Sequence, residues 1–197
     1  MHKGRLEAFS DGVLAIIITI MVLELHAPHD PTLATLASLK PLIPTLLSYV
    51  LSFIYVGIYW NNHHHMLQAS RHVTGSVLWA NLHLLFWLSL VPFVTTWIGA
   101  SHFAPLPCAA YGLILLMAAV AYTILARTLI HSHGQDSPLA KALGSDTKGH
   151  LSLLLYTIAI PSAFLSPWIA CSLYLIVAIL WLIPDRRIER QLKHDPD

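Results

Sequence analysis

The chain has 197 residues, of which 56% are hydrophobic and only 11% charged, with a formal net charge of +1 and a mean hydropathy of +0.64. Those values lie outside the range of soluble domains and point to an all-α integral membrane protein. No basic stripe interleaved with aromatics is present, which argues against nucleic acid as a partner. Two cysteines, Cys108 and Cys171, are too few and too ill-spaced for a metal knuckle or a disulfide framework, and read as small apolar packing residues.

A spanning helix needs roughly 20 mostly apolar residues. In chain order the sequence predicts six helices, at 7–25, 41–61, 76–100, 106–130, 149–163 and 166–184, which makes residues 1–197 a single transmembrane unit. The first, within "RLEAFSDGVLAIIITIMVLEL", is long for a cleavable signal and contains Asp11 and Glu24, so it is read as a mature helix. Ser10 is placed there to cap its start. The stretch "HAPHDPTLATLASLK" that follows is longer than a turn and has room for a short amphipathic helix. The second helix ends in "YWNNHHH" and the third begins around "WANLHLLF". The hydrophilic segment from His131 to His150 is a loop by its Gly, Ser, Asp and Pro content. The stretch "PSAFLSP", Pro161 to Pro167, reads as a tight hairpin between the last two helices, because proline removes a backbone donor and clashes with the preceding turn.

Charge supports the count of six. With the N-terminus inside, the inner segments carry Lys3, Arg5, Arg71, Arg127, Lys141, Lys148, Arg186, Arg187, Arg190 and Lys193. That is ten of the eleven basic residues, leaving Lys40 outside. Both termini are then cytoplasmic.

Ionisable groups at membrane depth are costly and mark function or buried pairing. The predicted topology brings Ser10 and Asp11, the Tyr59 to His65 stretch, and Asn81 with His83 to one level near the inner boundary, where they can satisfy one another's hydrogen bonds. At about 100° per residue, Gly12, Ile16, Leu23 and Ala27 share one side of the first helix, with Thr19 and Ile20 flanking it and Asp11 pointing roughly opposite Ile16. Asp11 is therefore read as an anchor facing its own subunit, with proton or ion handling as the alternative. The run His63 to His65 invites a metal reading. Consecutive helical residues diverge by about 100°, however, and no His-Glu-x-x-His string is present, so no metal site is assigned. A phosphate loop, a Gly-x-Ser-x-Gly elbow and a Ser-x-x-Lys pair are likewise missing from the sequence, and no enzymatic activity is expected.

The string Arg5-x-x-x-Phe9-Ser10-Asp11-Gly12, together with "YWNNHHH" and "WANLHLLFWLSLVPF", resembles the transmembrane protein 175 family of endosomal and lysosomal potassium channels and their prokaryotic relatives. The resemblance implies a potassium-permeable cation channel whose first helix lines the pore. Ile16, Ile20 and Leu23 would form hydrophobic constrictions, and Thr19 would be a pore-facing hydroxyl involved in selectivity. It also implies a structural polar network of Arg5, Ser10, Asp11, Trp60, Asn81 and a histidine, His64 being chosen with His63 and His65 open. A single repeat implies the prokaryotic type: a homotetramer, multi-pass in the cell membrane, with no cofactor beyond the permeant potassium ions. No Thr-Val-Gly-Tyr-Gly filter string is present, so ion dehydration would not be compensated by backbone carbonyls. A proton-permeable channel, or a proton-coupled transporter using the Asp and His cluster, is the alternative.

Overall fold

The computed structural model describes residues 3–27, 35–70, 72–134, 140 and 146–182, and helices are the only regular secondary structure among them. These are α1 (Lys3–Val22), a short 3-10 helix (Leu36–Leu42) leading directly into α2 (Ile43–Gln68), α3 (Gly75–Ser89), α4 (Val91–Ala100), α5 (Pro105–His133), α6 (Thr147–Leu165) and α7 (Pro167–Leu182). Four stretches are long and apolar enough to cross a membrane: Leu36–Gln68, Gly75–Ala100, Pro105–His133 and Thr147–Leu165, with Pro167–Leu182 a shorter apolar helix. α1 is 20 residues long, but Lys3, Arg5, Glu7 and Asp11 occupy its first half.

Several boundaries differ from those the sequence suggested. α1 starts at Lys3 rather than 7 and ends at Val22, so Ser10 lies in mid-helix and caps nothing; its hydroxyl donates back to the Leu6 carbonyl at 2.8 Å. Ala27 lies beyond the helix, and Leu23 sits in the tightened turn that closes it, its N–H reaching the Ile20 carbonyl at 3.0 Å. α2 continues through all three histidines, which are therefore helical. The predicted helix 76–100 is two pieces interrupted at Leu90, because Pro92 lacks the N–H that would continue the ladder. Pro161 does not end α6, which runs on to Leu165. The break falls at Ser166, held extended (φ −158°, ψ 118°) as the residue before Pro167, which in turn opens α7.

α5 forms the spine of the bundle, packing on α3, α4, α6 and α7, while α2 sits between α1 and α7. Small buried residues, Ala118 and Ala121 on α5, Ala159 and Ala163 on α6, Ala170 and Ala178 on α7, let these backbones approach closely where lipid supplies no hydrophobic drive. The turn between α4 and α5 reverses through His102 and Phe103, both left-handed (φ 53° and 61°), with the Phe103 N–H returning to the Ile98 carbonyl. α1 packs on α2, α3 and α4 from one side only.

Candidate pore helix and its polar anchor

The two faces of α1 differ sharply. Leu6, Ser10, Leu14, Ile17 and Met21 are buried against the bundle, Leu14 and Met21 each at 1% exposure. Gly12, Ile16, Thr19, Ile20 and Leu23 form the bare stripe, with Ile16 58% and Leu23 69% exposed. A side chain built at Gly12 meets nothing within 4 Å. The Thr19 hydroxyl donates to its own helix, to the Ala15 and Ile16 carbonyls at 3.0 Å each, so its proton is engaged while its oxygen keeps the capacity to accept. Beside this stripe a groove of about 800 Å³ opens between α1 and α4, lined by Ile16, Ile20 and Glu24 on one wall and Phe93, Thr96 and Trp97 on the other.

The other face is held by polar contacts that fall into two groups. The buried group runs in one direction. His63 Nε2 donates to Asn81 Oδ1 at 2.7 Å, Asn81 Nδ2 donates to Ser10 Oγ at 2.9 Å, and Ser10 donates to Leu6 O. It ties α2 and α3 to the backbone of α1, and Ser10, His63 and Asn81 are all essentially inaccessible. The second group is partly exposed. The Trp60 indole donates to Asp11 Oδ1 at 3.0 Å, and His64 stacks on Trp60 and lies 3.4 Å from Glu7.

The histidine that reaches Asn81, and through it Ser10, is thus His63, whereas His64, the residue chosen from the resemblance, pairs with Glu7. The reason is helical phase. With α2 continuous to Gln68, His63 falls on the buried stripe that also carries Tyr59 and Met66, and His64 is turned about 100° away. Arg5 is exposed and forms no ion pair among the described residues. Lys3 rather than Arg5 links α1 to α2 at this end, its Nζ donating to the Gln68 carbonyl. His83 is occupied within its own helix, accepting from Trp87. No group of three or more His, Cys, Asp or Glu side chains among the described residues is placed to hold a metal.

Sequence reasoning passed over a second polar cluster in the subunit interior. Thr95 donates to Ser52 at 2.6 Å, Ser52 meets the Tyr111 hydroxyl at 3.1 Å, and Tyr174 donates to the Cys108 carbonyl at 3.0 Å. The signal was available. Ser48, Ser52, Tyr55, Tyr59 and His63 recur at three- and four-residue intervals on α2, and all are buried. In a bilayer the polar stripe marks the face turned inward.

Comparison with known proteins places this architecture. The family model described as endosomal/lysosomal potassium channel TMEM175 matches residues 5–92. A potassium channel of Chryseobacterium sp. is 57% identical over 195 residues, covering 99% of this chain and 100% of that protein. The zebrafish (Danio rerio) endosomal/lysosomal proton channel TMEM175 is 36% identical over 84 residues, covering 36% of this chain and 16% of that protein. Among solved structures, the lysosomal potassium-selective channel TMEM175 homologue from Chamaesiphon minutus superimposes with a TM-score of 0.80 at 27% identity, over 93% of this chain and 97% of that one. With its helical, membrane-spanning architecture and a near full-length relative of this similarity, the chain belongs to the TMEM175 family, a family of channels and not of enzymes.

Proposed function

We propose that the protein is the subunit of a homotetrameric, potassium-permeable cation channel in a prokaryotic cell membrane, a six-span unit with both termini cytoplasmic and α1 lining a central pore. The observation that carries this reading is the division of α1 into a face locked to its own subunit and a bare stripe of Gly12, Ile16, Thr19, Ile20 and Leu23. One helix face cannot enclose a pore, but copies related by cyclic symmetry can. The names of the bacterial relatives and of the superimposable channel supply the ion.

In such an assembly Ile16 and Leu23 contribute apolar rings that close the path by dewetting and open it on a small dilation. Potassium sheds water more readily than sodium, and a ring of Thr19 oxygens returns part of the lost hydration. The oxygens suit this because each hydroxyl proton is already bonded to its own helix. A second reading, proton permeation through the same pore, is favoured by the zebrafish relative, which is named a proton channel and matches part of this chain.

The deciding experiment is current across a planar bilayer containing the purified protein under opposed potassium and sodium gradients, with Ile16→Asn measured beside the parent. A potassium-biased reversal potential that shifts or collapses in Ile16→Asn is expected. A reversal that follows the proton gradient would select the second reading. No current in either protein, together with concentrative uptake into liposomes driven by a pH gradient, would make the protein a carrier and overturn both.

A further inference from the structure

The two cysteines lie 63 positions apart in sequence, yet the fold brings them together. α5 and α7 both begin at the end of the bundle remote from Lys3 and His63, and Cys108 and Cys171 sit one turn inside those starts, on facing sides. Three contacts set the two helices in register there. Phe103, just before α5, stacks on Trp168 at the start of α7 with ring centroids 5.3 Å apart. The Tyr174 hydroxyl crosses to the Cys108 carbonyl at 3.0 Å. Gly112, one turn beyond Cys108, has no side chain where the Tyr174 hydroxyl passes; a Cβ there would collide with it. Cys171, one turn before Tyr174 on the same side of α7, consequently turns to α5 at the level of Cys108. Both are free thiols.

From this juxtaposition we propose that Cys108 and Cys171 form a dithiol site that closes to a disulfide, stapling α5 to α7. The two thiols differ in access: Cys171 is partly exposed and Cys108 fully buried. Cys171 reacts first. Its thiolate attacks one sulfur of an external disulfide R–S–S–R, forming a mixed disulfide and releasing R–S⁻. The Cys108 thiolate then attacks Cys171 Sγ, forming the Cys108–Cys171 bond and expelling the second R–S⁻. The two thiol protons end on the two released thiolates; the protein loses two electrons and the external disulfide gains them. The basic residues Lys3, Arg5, Arg127 and Lys148 cluster at the opposite end of the bundle, so by the positive-inside rule the pair faces the outer side, where oxidants of this class act in bacteria. The bond closes a loop of roughly 60 residues, which lowers the entropy of the unfolded chain. Metal binding is the poorer use of the pair, since no further ligand set completes it among the described residues.

The test is thiol counting on the full-length protein in lipid nanodiscs. The protein is exposed to oxidised glutathione, then denatured, alkylated with N-ethylmaleimide and weighed by mass spectrometry. The expected product takes up no maleimide and no glutathione, and is lighter than the reduced protein by two hydrogens. Cys171→Ser and Cys108→Ser should each retain a single thiol, alkylated or glutathionylated, and form no internal bond. The oxidised parent should melt at a higher temperature than the reduced parent, a difference absent in both variants. Two maleimides on the parent, or two separate glutathione adducts, would overturn the proposal, and the parent alone decides this if a variant fails to fold.

Discussion

His63 Nε2 lies 2.7 Å from Asn81 Oδ1, a side chain–side chain bond between two fully buried residues on α2 and α3. Its direction follows from the partners. The Asn81 amide nitrogen is committed to Ser10, so its oxygen faces His63, which must carry its proton on Nε2. Removing the imidazole leaves the Asn81 oxygen buried without a donor, which costs about 1–3 kcal/mol. His63→Ala should therefore lower the thermal unfolding midpoint clearly, read by tryptophan emission in detergent. His64→Ala should not, because its contact with Glu7 is a 3.4 Å pair at a side chain 41% exposed; exposed pairs contribute about 0–1 kcal/mol. Equal effects of the two substitutions would show that the buried chain does not fix α1.

Asp11 tests whether the acidic group is an anchor or a participant in conduction. Trp60 donates to a single carboxylate oxygen, Oδ1. An asparagine presents an equivalent oxygen, so Asp11→Asn should keep the bond, the fold and the potassium current, whereas Asp11→Leu should lose the bond and part of the stability. Should Asp11→Asn fold normally and yet conduct nothing, the carboxylate acts on the permeant ion or proton and the anchor reading fails.

How far the sequence spoke for the fold depends on which physical signal was available. Length and apolarity marked the helical stretches, because a bilayer demands about 20 apolar residues whatever the packing. Proline was ambiguous. Pro161 reads as a helix end yet is tolerated inside α6, whereas Pro92, inside a stretch that reads as one helix, interrupts it at Leu90. A proline removes one hydrogen bond in either place, and the surrounding packing decides whether the helix continues. On the site, the levels of Ser10, Asp11, Trp60 and Asn81 followed from topology, but the choice among three adjacent histidines depended on helical phase. Phase required knowing that α2 runs on to Gln68. The approach of Cys171 to the Cys108 turn had no sequence signal, since it arises from the tertiary pairing of α5 with α7.

Two glycines test packing within the subunit against the proposed packing between subunits. A Cβ at Gly99 on α4 would lie 2.7 Å from the Thr45 Cα on α2, a backbone atom that cannot turn aside. Gly99→Ala should destabilise the subunit by about 1–3 kcal/mol, as overpacking does. Gly12 faces open space on the bare stripe of α1. Gly12→Leu should leave helix content by circular dichroism unchanged while weakening the oligomer on size-exclusion with light scattering. An unaltered oligomer with unaltered current would mean that the stripe faces lipid.

Thr19 offers the most direct reading of selectivity, because it can be changed without disturbing the fold. Its side chain is exposed and its hydroxyl serves only its own helix backbone, so Thr19→Val leaves no buried group unsatisfied and preserves the shape. Thr19→Ser keeps the oxygen and removes a methyl group. A ring of hydroxyl oxygens that favours potassium over sodium by about 1 kcal/mol sets a permeability ratio of roughly fivefold. The ratio from reversal potentials should therefore fall toward unity in Thr19→Val and persist in Thr19→Ser. If instead Thr19→Val keeps the ratio and Thr19→Ser changes it, the methyl groups rather than the oxygens discriminate between the ions, and the filter is steric.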